Sequence, residues 1–218
     1  MTDTVAMMTP VLSVDHLCFS YPERLLWREL SLTIGPGITL VRGGDGTGKT
    51  TLLRLLAGQL AAQSGKLAFG DIALGAQTKR YQQQVFWIEP ATRAFDALTP
   101  LGYFEAQRQG SQTFAAVNAP LMSDLVDGFS LAEHLHKPLY MLSAGTRRKV
   151  WLSAAFAAGA PLTLIDEPFA ALDLPAIDFL TDLLIDAADH PTRAFVVAHF
   201  EPLGDVPVAQ VIDLGDQG

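Results

Sequence analysis

The stretch Gly43-Gly44-Asp45-Gly46-Thr47-Gly48-Lys49-Thr50-Thr51 combines glycines, one lysine and adjacent hydroxyls in the pattern G-x-x-x-x-G-K-[ST]. The chemistry this spacing serves is the holding of a polyphosphate. Glycines let successive backbone N–H groups converge on one anion without Cβ obstruction, and a following helix adds partial positive charge at its N-terminus. Lys49 would bridge β- and γ-phosphates, and the Thr50 hydroxyl is placed to ligate Mg²⁺, an oxygen-seeking ion that keeps waters and takes few protein ligands. The rival reading is a chance glycine-rich turn, which the β-branched run before the loop and the leucine-rich run after it argue against.

A second group of residues offers acid-base chemistry. Leu162 to Ile165 is an apolar run that ends abruptly in Asp166 and Glu167. A buried parallel strand delivers its C-terminal residues to a ligand crevice. Asp166 there would hold Mg²⁺ through water. Glu167 would polarise an attacking water as general base, since phosphoryl transfer needs mainly positioning and charge neutralisation. A polar turn capping the next helix is the plainer alternative. His199 follows Phe195-Val196-Val197-Ala198 in the same way and could sense the terminal phosphate.

These groups need strands and helices to position them. Val11 to Phe19 alternates apolar and polar residues as a half-buried strand does, with Tyr21 and Pro22 ending it. A strand around Leu30 to Ile34 runs into the turn Gly35-Pro36-Gly37, and Ile38 to Val41 resumes as a core strand. From Thr50 the leucines at 52, 53, 55 and 56 follow helical spacing until Gly58. Val85 to Ile88 is a short strand candidate, and the region from about 91 to 141 reads as a helical insert. A helix opens at Ser143. The strands Leu162 to Ile165 and Ala194 to Ala198 flank a helix from about Ala176 to Ala188, and Val208 to Leu214 is the last edge strand. Residues 1–9 read as a loose tail. Strand-helix alternation implies a layered α/β fold: a P-loop NTPase core with a mainly parallel sheet, an N-terminal antiparallel β lobe and a small helical subdomain. The expected organisation is one domain over 1–218, with β lobe and core at about 10–90 and 160–218 and the helical subdomain at about 91–159.

Composition narrows the classes of function. Hydrophobic residues make up 49% of the chain, yet the longest uncharged run, Val150 to Ile165, is shorter than the ~20 residues of a spanning helix and is broken by Gly159 and Pro161. It reads as a buried helix followed by a buried strand. A formal charge of −8 predicts no broad footprint for nucleic acid. Cys18 is the only cysteine, which excludes an internal disulfide, and the N-terminus lacks a secretory pattern. A reducing, cytoplasmic compartment is the expectation.

The segment Leu142-Ser143-Ala144-Gly145-Thr146-Arg147-Arg148-Lys149 opens an apolar helix with Ser143 as a good N-cap. Here the chain resembles the ABC ATPase family, whose signature begins L-S-G-G or, in the branch resembling haem-export ATPases, L-S-A-G. The resemblance spans nearly the whole chain: Tyr21, the phosphate loop, the signature, Asp166-Glu167, Ala171-Leu172-Asp173 and His199 follow in the family's order. It implies ATP and Mg²⁺ as ligands, Tyr21 stacked on adenine, and hydrolysis carried by Glu167, His199 and Lys49. It also implies that Ser143, Ala144, Gly145 and Thr146 face the ATP of an opposite subunit, with Asp173 at the seam. Partners would be a second copy or an ABC-type heterodimer mate on ATP binding, and a separately encoded transmembrane permease that keeps the chain at the inner face of the plasma membrane.

The sequence departs from the family at two places. No glutamine occurs between Gln84 and Gln107, so Glu89 is the nearest oxygen donor after the Val85 to Ile88 strand and becomes the candidate metal contact. Thr146 stands where the family most often has glutamine, and Ala144 replaces a glycine. Arg147-Arg148-Lys149 opposes the helix dipole at about 0.3–1 kcal/mol per charge unless an acid compensates, and it reads as a solvated face. Two other functions remain open from the residues: a regulatory, non-transport ATPase of the same fold, and a P-loop small-molecule kinase. The second needs an acceptor pocket and lid and leaves Leu142 to Gly145 without a use.

Overall fold

The computed structural model describes residues 10–89, 91–110, 114 and 119–215. The tail read over residues 1–9 lies outside them, as do 111–113 and 115–118 of the helical insert. The N-terminal hairpin pairs β1 (Leu12–Tyr21) with β2 (Arg24–Ile34), closing at Tyr21 opposite Arg24. After β3 (Gly37–Arg42) and α1 (Lys49–Leu56), β4 (Ser64–Phe69) and β5 (Ile72–Ala73) return to that hairpin. The result is an antiparallel sheet in the order β2-β1-β4-β5. The sequence reading passed over β4 and β5. The first half of β4 (Ser64, Gly65, Lys66) is polar and exposed, and β5 is only two residues long, so neither carries an alternating pattern.

A short helix α2 (Thr78–Gln82) leads to β6 (Val85–Phe86), and α3 (Pro100–Gly110) and α4 (Ala119–Gly128) follow. Single 3₁₀ turns at Ala132–His134 and Leu139–Met141 lead to α5 (Ala144–Ala157), then β7 (Leu162–Asp166), α6 (Leu174–Ala188), β8 (Ala194–His199) and β9 (Gln210–Asp213). The second sheet is parallel throughout in the order β6-β7-β8-β3-β9. β6 is shorter than Val85 to Ile88 because it pairs only with the start of β7, after which Trp87 turns its indole N–H to the Gln59 side chain.

Side-chain alternation along the parallel strands sorts residues onto two faces. Ile38, Leu40, Ile165, Phe195 and Val197 join the core under α5 and α6. Val41, Leu162, Leu164, Val196 and Ala198 join the core under α1 and the antiparallel sheet. Leu52, Leu53, Leu55 and Leu56 of α1 are fully buried there, at roughly 1.5–3 kcal/mol of hydrophobic stabilisation each. By the same parity, Asp166 at the end of β7 shares a face with Leu162 and Leu164, which is the α1 side. The register pairs Asp166 with Ala198 and Arg42 with His199, so β3, β7 and β8 end at one level.

Candidate functional site

The loop Gly43 to Gly48 leaves β3 and turns directly into α1. Gly48 has φ of 108°, and a Cβ there would lie 3.1 Å from the Trp27 ring, so both backbone and space require glycine. No side chain caps α1, which leaves the amides of its first turn directed at whatever the loop holds. Lys49 is buried, and its ammonium donates to the carbonyls of Gly43 at 2.7 Å and Gly44 at 3.1 Å. The Thr47 hydroxyl donates to Gly44 O at 3.0 Å and closes the loop on itself. Asp45 and Gly46 form its exposed tip, where Arg24 Nη1 donates to Gly46 O at 2.7 Å.

Thr50 Oγ1 donates to Asp166 Oδ2 at 2.6 Å, as the strand parity requires. The other carboxylate oxygen, Asp166 Oδ1, is buried with no hydrogen-bond partner among the described residues. Leaving such an acceptor unmade costs about 1–3 kcal/mol. Burial raises the Asp166 pKa. The hydrogen bond from Thr50 opposes that rise, Glu167 adds to it, and Lys49 and Arg148 offset part. A hydroxyl and a carboxylate, hard oxygen donors with one lone-pair set unused, fit a small divalent cation such as Mg²⁺.

Glu167 stands one residue beyond the strand with φ of 45°, in the left-handed region that a glutamate enters only at a cost. This backbone turn aims its carboxylate between the Lys49 ammonium and the His199 imidazole. Glu167 Oε1 is 3.4 Å from Lys49 Nζ, and Oε2 is 2.8 Å from His199 Nδ1. His199 is buried and lies against Phe169 at 5.5 Å and Phe200 at 4.6 Å between ring centroids. The structure thus brings Lys49, Thr50, Asp166, Glu167 and His199 together through the Thr50–Asp166 and His199–Glu167 hydrogen bonds and the Lys49–Glu167 ion pair. Tyr21 joins its margin: the phenol meets Thr51 Oγ1 at 3.2 Å, Phe19 supports it edge-on at 5.1 Å, and 42% exposure leaves the ring accessible.

The signature segment is not in that group. Ser143 Oγ accepts from Thr146 N at 3.0 Å as the N-cap of α5 and meets Thr146 Oγ1 at 2.9 Å, with Ser143 and Ala144 both exposed. Gly145 packs so tightly that a Cβ would overlap the Ala171 carbonyl oxygen. Asp173 caps α6 by accepting from Ala176 N at 3.2 Å. Glu89 Oε2 lies 3.9 Å from an Arg54 guanidinium nitrogen, on the face of α1 one turn beyond Thr50.

The basic cluster 147–149 is not a solvated face. Arg147 pairs with Asp96 at 3.5 Å, Lys149 donates to Asp173 at 2.9 Å, and half-buried Arg148 donates from Nη1 to the carbonyls of Asp166, at 3.0 Å, and of Glu167. Two carboxylates and two backbone carbonyls thus compensate three cations that the dipole disfavours. That unfavourable placement was the sequence signal for them, and it was read the wrong way.

Comparison with known proteins follows the same residues. Residues 27–170 match the family described as ABC transporter. The chain is 32% identical over 212 residues to the "Cytochrome c biogenesis ATP-binding export protein CcmA" of Pseudomonas syringae pv. syringae (strain B728a), covering 95% of this chain and 96% of that protein. It is 30% identical over 210 residues to the protein of the same name from Vibrio cholerae serotype O1, covering 94% and 99%. Its fold is similar to that of a putative ABC transporter ATP-binding protein from Pyrococcus furiosus, with TM-score 0.75 at 20% identity over 93% of this chain and 96% of the other.

Proposed function

We propose, from the premise that this chain belongs to the ABC transporter family as an ATP-binding, ATP-hydrolysing subunit, that two copies close on Mg-ATP and drive a separate membrane permease. The observation that carries the reading is the continuous set Thr50–Asp166 at 2.6 Å and Lys49–Glu167–His199 at 3.4 and 2.8 Å. It joins a phosphate cradle to a base poised for water.

In this reading Lys49 and the first amides of α1 bind the β- and γ-phosphates, and Tyr21 receives the adenine. Thr50 and the unpartnered oxygen of Asp166 would hold Mg²⁺, which supplies charge neutralisation on the phosphates when bound. Glu167 orients a water and takes its proton as the oxygen attacks the γ-phosphorus and the bond to the β–γ bridging oxygen breaks. His199 donates from Nδ1 to Glu167, keeping the carboxylate fixed, and its buried ring is held by Phe169 and Phe200.

Exposure of apolar side chains beside each shared motif supports closure between copies. Leu174 next to Asp173 is 75% exposed, Tyr140 and Met141 before Ser143 are 65% and 63% exposed, and Phe200 after His199 is 54% exposed. No helix among the described residues is long and apolar enough to cross a membrane. A groove of about 980 Å³ lined by Gln84, Trp87, Glu89, Phe95 and Gln107 is the surface offered to the permease. The relatives named for cytochrome c biogenesis support export in that process as the task.

The decisive experiment is the mass of a Glu167→Gln variant in solution with and without Mg-ATP. A dimer that forms with ATP and is abolished by Ser143→Arg supports the reading. A monomer under every condition sinks the shared site, and phosphorylation of a metabolite would replace the ATPase with a kinase. Co-purification with a multi-span membrane protein separates transport from a regulatory role.

A further inference from the structure

Glu167 and Ala171 both have positive φ, at 45° and 61°, so the short segment from Asp166 to Asp173 is bent twice into a conformation side-chain-bearing residues rarely adopt. Such backbone persists only where its surroundings over-determine it. The surroundings here are one face of α5. Gly145 lies against the Ala171 carbonyl, Lys149 reaches Asp173 at 2.9 Å, and Arg148 Nη1 donates to the carbonyl oxygens of Asp166, at 3.0 Å, and Glu167. The first two contacts hold the far end of the segment. Arg148 is the side chain that grips the carbonyls on both sides of Glu167, beside the backbone hydrogen bonds from Glu167 N to Ala198 O at 2.9 Å and from Ala170 N to Glu167 O at 3.2 Å.

We propose that Arg148 is a positioning residue for hydrolysis: its guanidinium, carried on the first turns of α5, fixes the left-handed backbone at Glu167 and so places the carboxylate between Lys49 and His199. This rests on Glu167 being the general base, as proposed above. Arg148 donates to backbone carbonyls and so acts through Glu167. It is half-buried, and burial lowers its pKa while Asp166 and Glu167 draw it back up. Arginine suits the task because its planar guanidinium is pre-organised, so little freedom is lost on forming these bonds, and it stays charged when half-buried. The turn that carries Arg148 also begins at Ser143 and Gly145. Whatever engages that turn from outside therefore bears on the same chain's own hydrolytic carboxylate.

The test uses the purified full chain, with steady-state ATP hydrolysis and ATP binding measured on wild type, Glu167→Gln, Arg148→Met and Arg148→Lys. Arg148→Met keeps the aliphatic stem and removes the donor. The expected result is a fall in kcat of about 10- to 100-fold, the scale of small misplacements at a reacting centre, with KM and ATP affinity held within about threefold. Arg148→Lys recovers part of that loss, and millimolar guanidinium added to an Arg148→Ala variant restores turnover. A purely structural role would instead lower affinity and thermal stability and would not respond to guanidinium. Wild-type kcat in Arg148→Met overturns the proposal, and so does a loss confined to KM. Should Arg148→Met not fold, Arg148→Lys decides: a severalfold fall in kcat at constant KM supports the role, and unchanged kcat overturns it. Wild-type protein without any turnover lost in Glu167→Gln would sink the earlier reading, whereas turnover lost in Glu167→Gln but kept in Arg148→Met sinks this one alone.

Discussion

Lys49 Nζ lies 3.4 Å from Glu167 Oε1 while donating to two carbonyls of its own loop, so the cation proposed to meet phosphate and the carboxylate proposed to meet water belong to one ion pair. Lys49 is 7% exposed, and its loss removes charge-assisted hydrogen bonds worth about 1.5–3 kcal/mol. Lys49→Met is expected to weaken ATP binding by about 10- to 100-fold in equilibrium titration, with the fold intact by circular dichroism.

Removing the other partner of Glu167 has a different signature. His199→Ala leaves the phosphate loop untouched and frees Oε2 of its 2.8 Å contact. The expected result is a fall in kcat of about 100-fold with nearly constant ATP affinity, because the group acts on the orientation of the proposed base. Equal losses in kcat and affinity would contradict that placement.

The pair between Lys149 and Asp173 ties α5 to the start of α6 and predicts a pH effect of known sign. The hydrogen bond from Lys149 is the main cause holding the Asp173 pKa below its ordinary 3.8. A depressed carboxylate adds stability that is present above its unfolded pKa and is lost as pH falls through the folded value. Asp173→Asn keeps an N-cap oxygen and removes the charge. The variant is expected to be less stable at pH 7 by at most about 1 kcal/mol, since this acid is exposed and screened by salt. The difference from wild type should vanish below the ordinary carboxylate range, as read by thermal melts across pH. A gap that widens on acidification would refute the assignment.

Ala144 and its neighbour Gly145 differ in what a methyl group meets. Ala144 is exposed, which explains why an alanine stands there without penalty, whereas a Cβ at Gly145 overlaps the Ala171 carbonyl. Gly145→Ala is therefore expected to cost about 1–3 kcal/mol in denaturant unfolding, and Ala144→Gly less than 1 kcal/mol as a first-turn propensity effect.

Much of this site was legible because its residues sit where elements end. The phosphate loop, Asp166-Glu167 and His199 each follow an apolar run, and a run that stops at a polar residue marks a strand terminus without any tertiary knowledge. The antiparallel strands Ser64–Phe69 and Ile72–Ala73 were missed, because the polar half-strand is made by pairing with β1, distant in sequence, and the two-residue strand is too short to carry a pattern. Arg148 was misread for the same kind of reason. Its acceptors are backbone carbonyls, which have no residue type, so nothing in the letters distinguishes a cation that grips a peptide from one that points into water.

The pairing of Asp166 with Ala198, and of Glu167 N with Ala198 O at 2.9 Å, makes β8 a ruler for the site. Side chains alternate along it, so deleting a single residue within Ala194 to Ala198 would turn His199 to the opposite face of the sheet and bring Phe200 to Glu167 in its place. The turn at Pro191 and Thr192 before the strand is exposed and carries no such alternation. Length changes should therefore be tolerated in that turn and excluded from the strand that follows it, a pattern of permitted and forbidden insertions that a library of single-codon deletions would read directly.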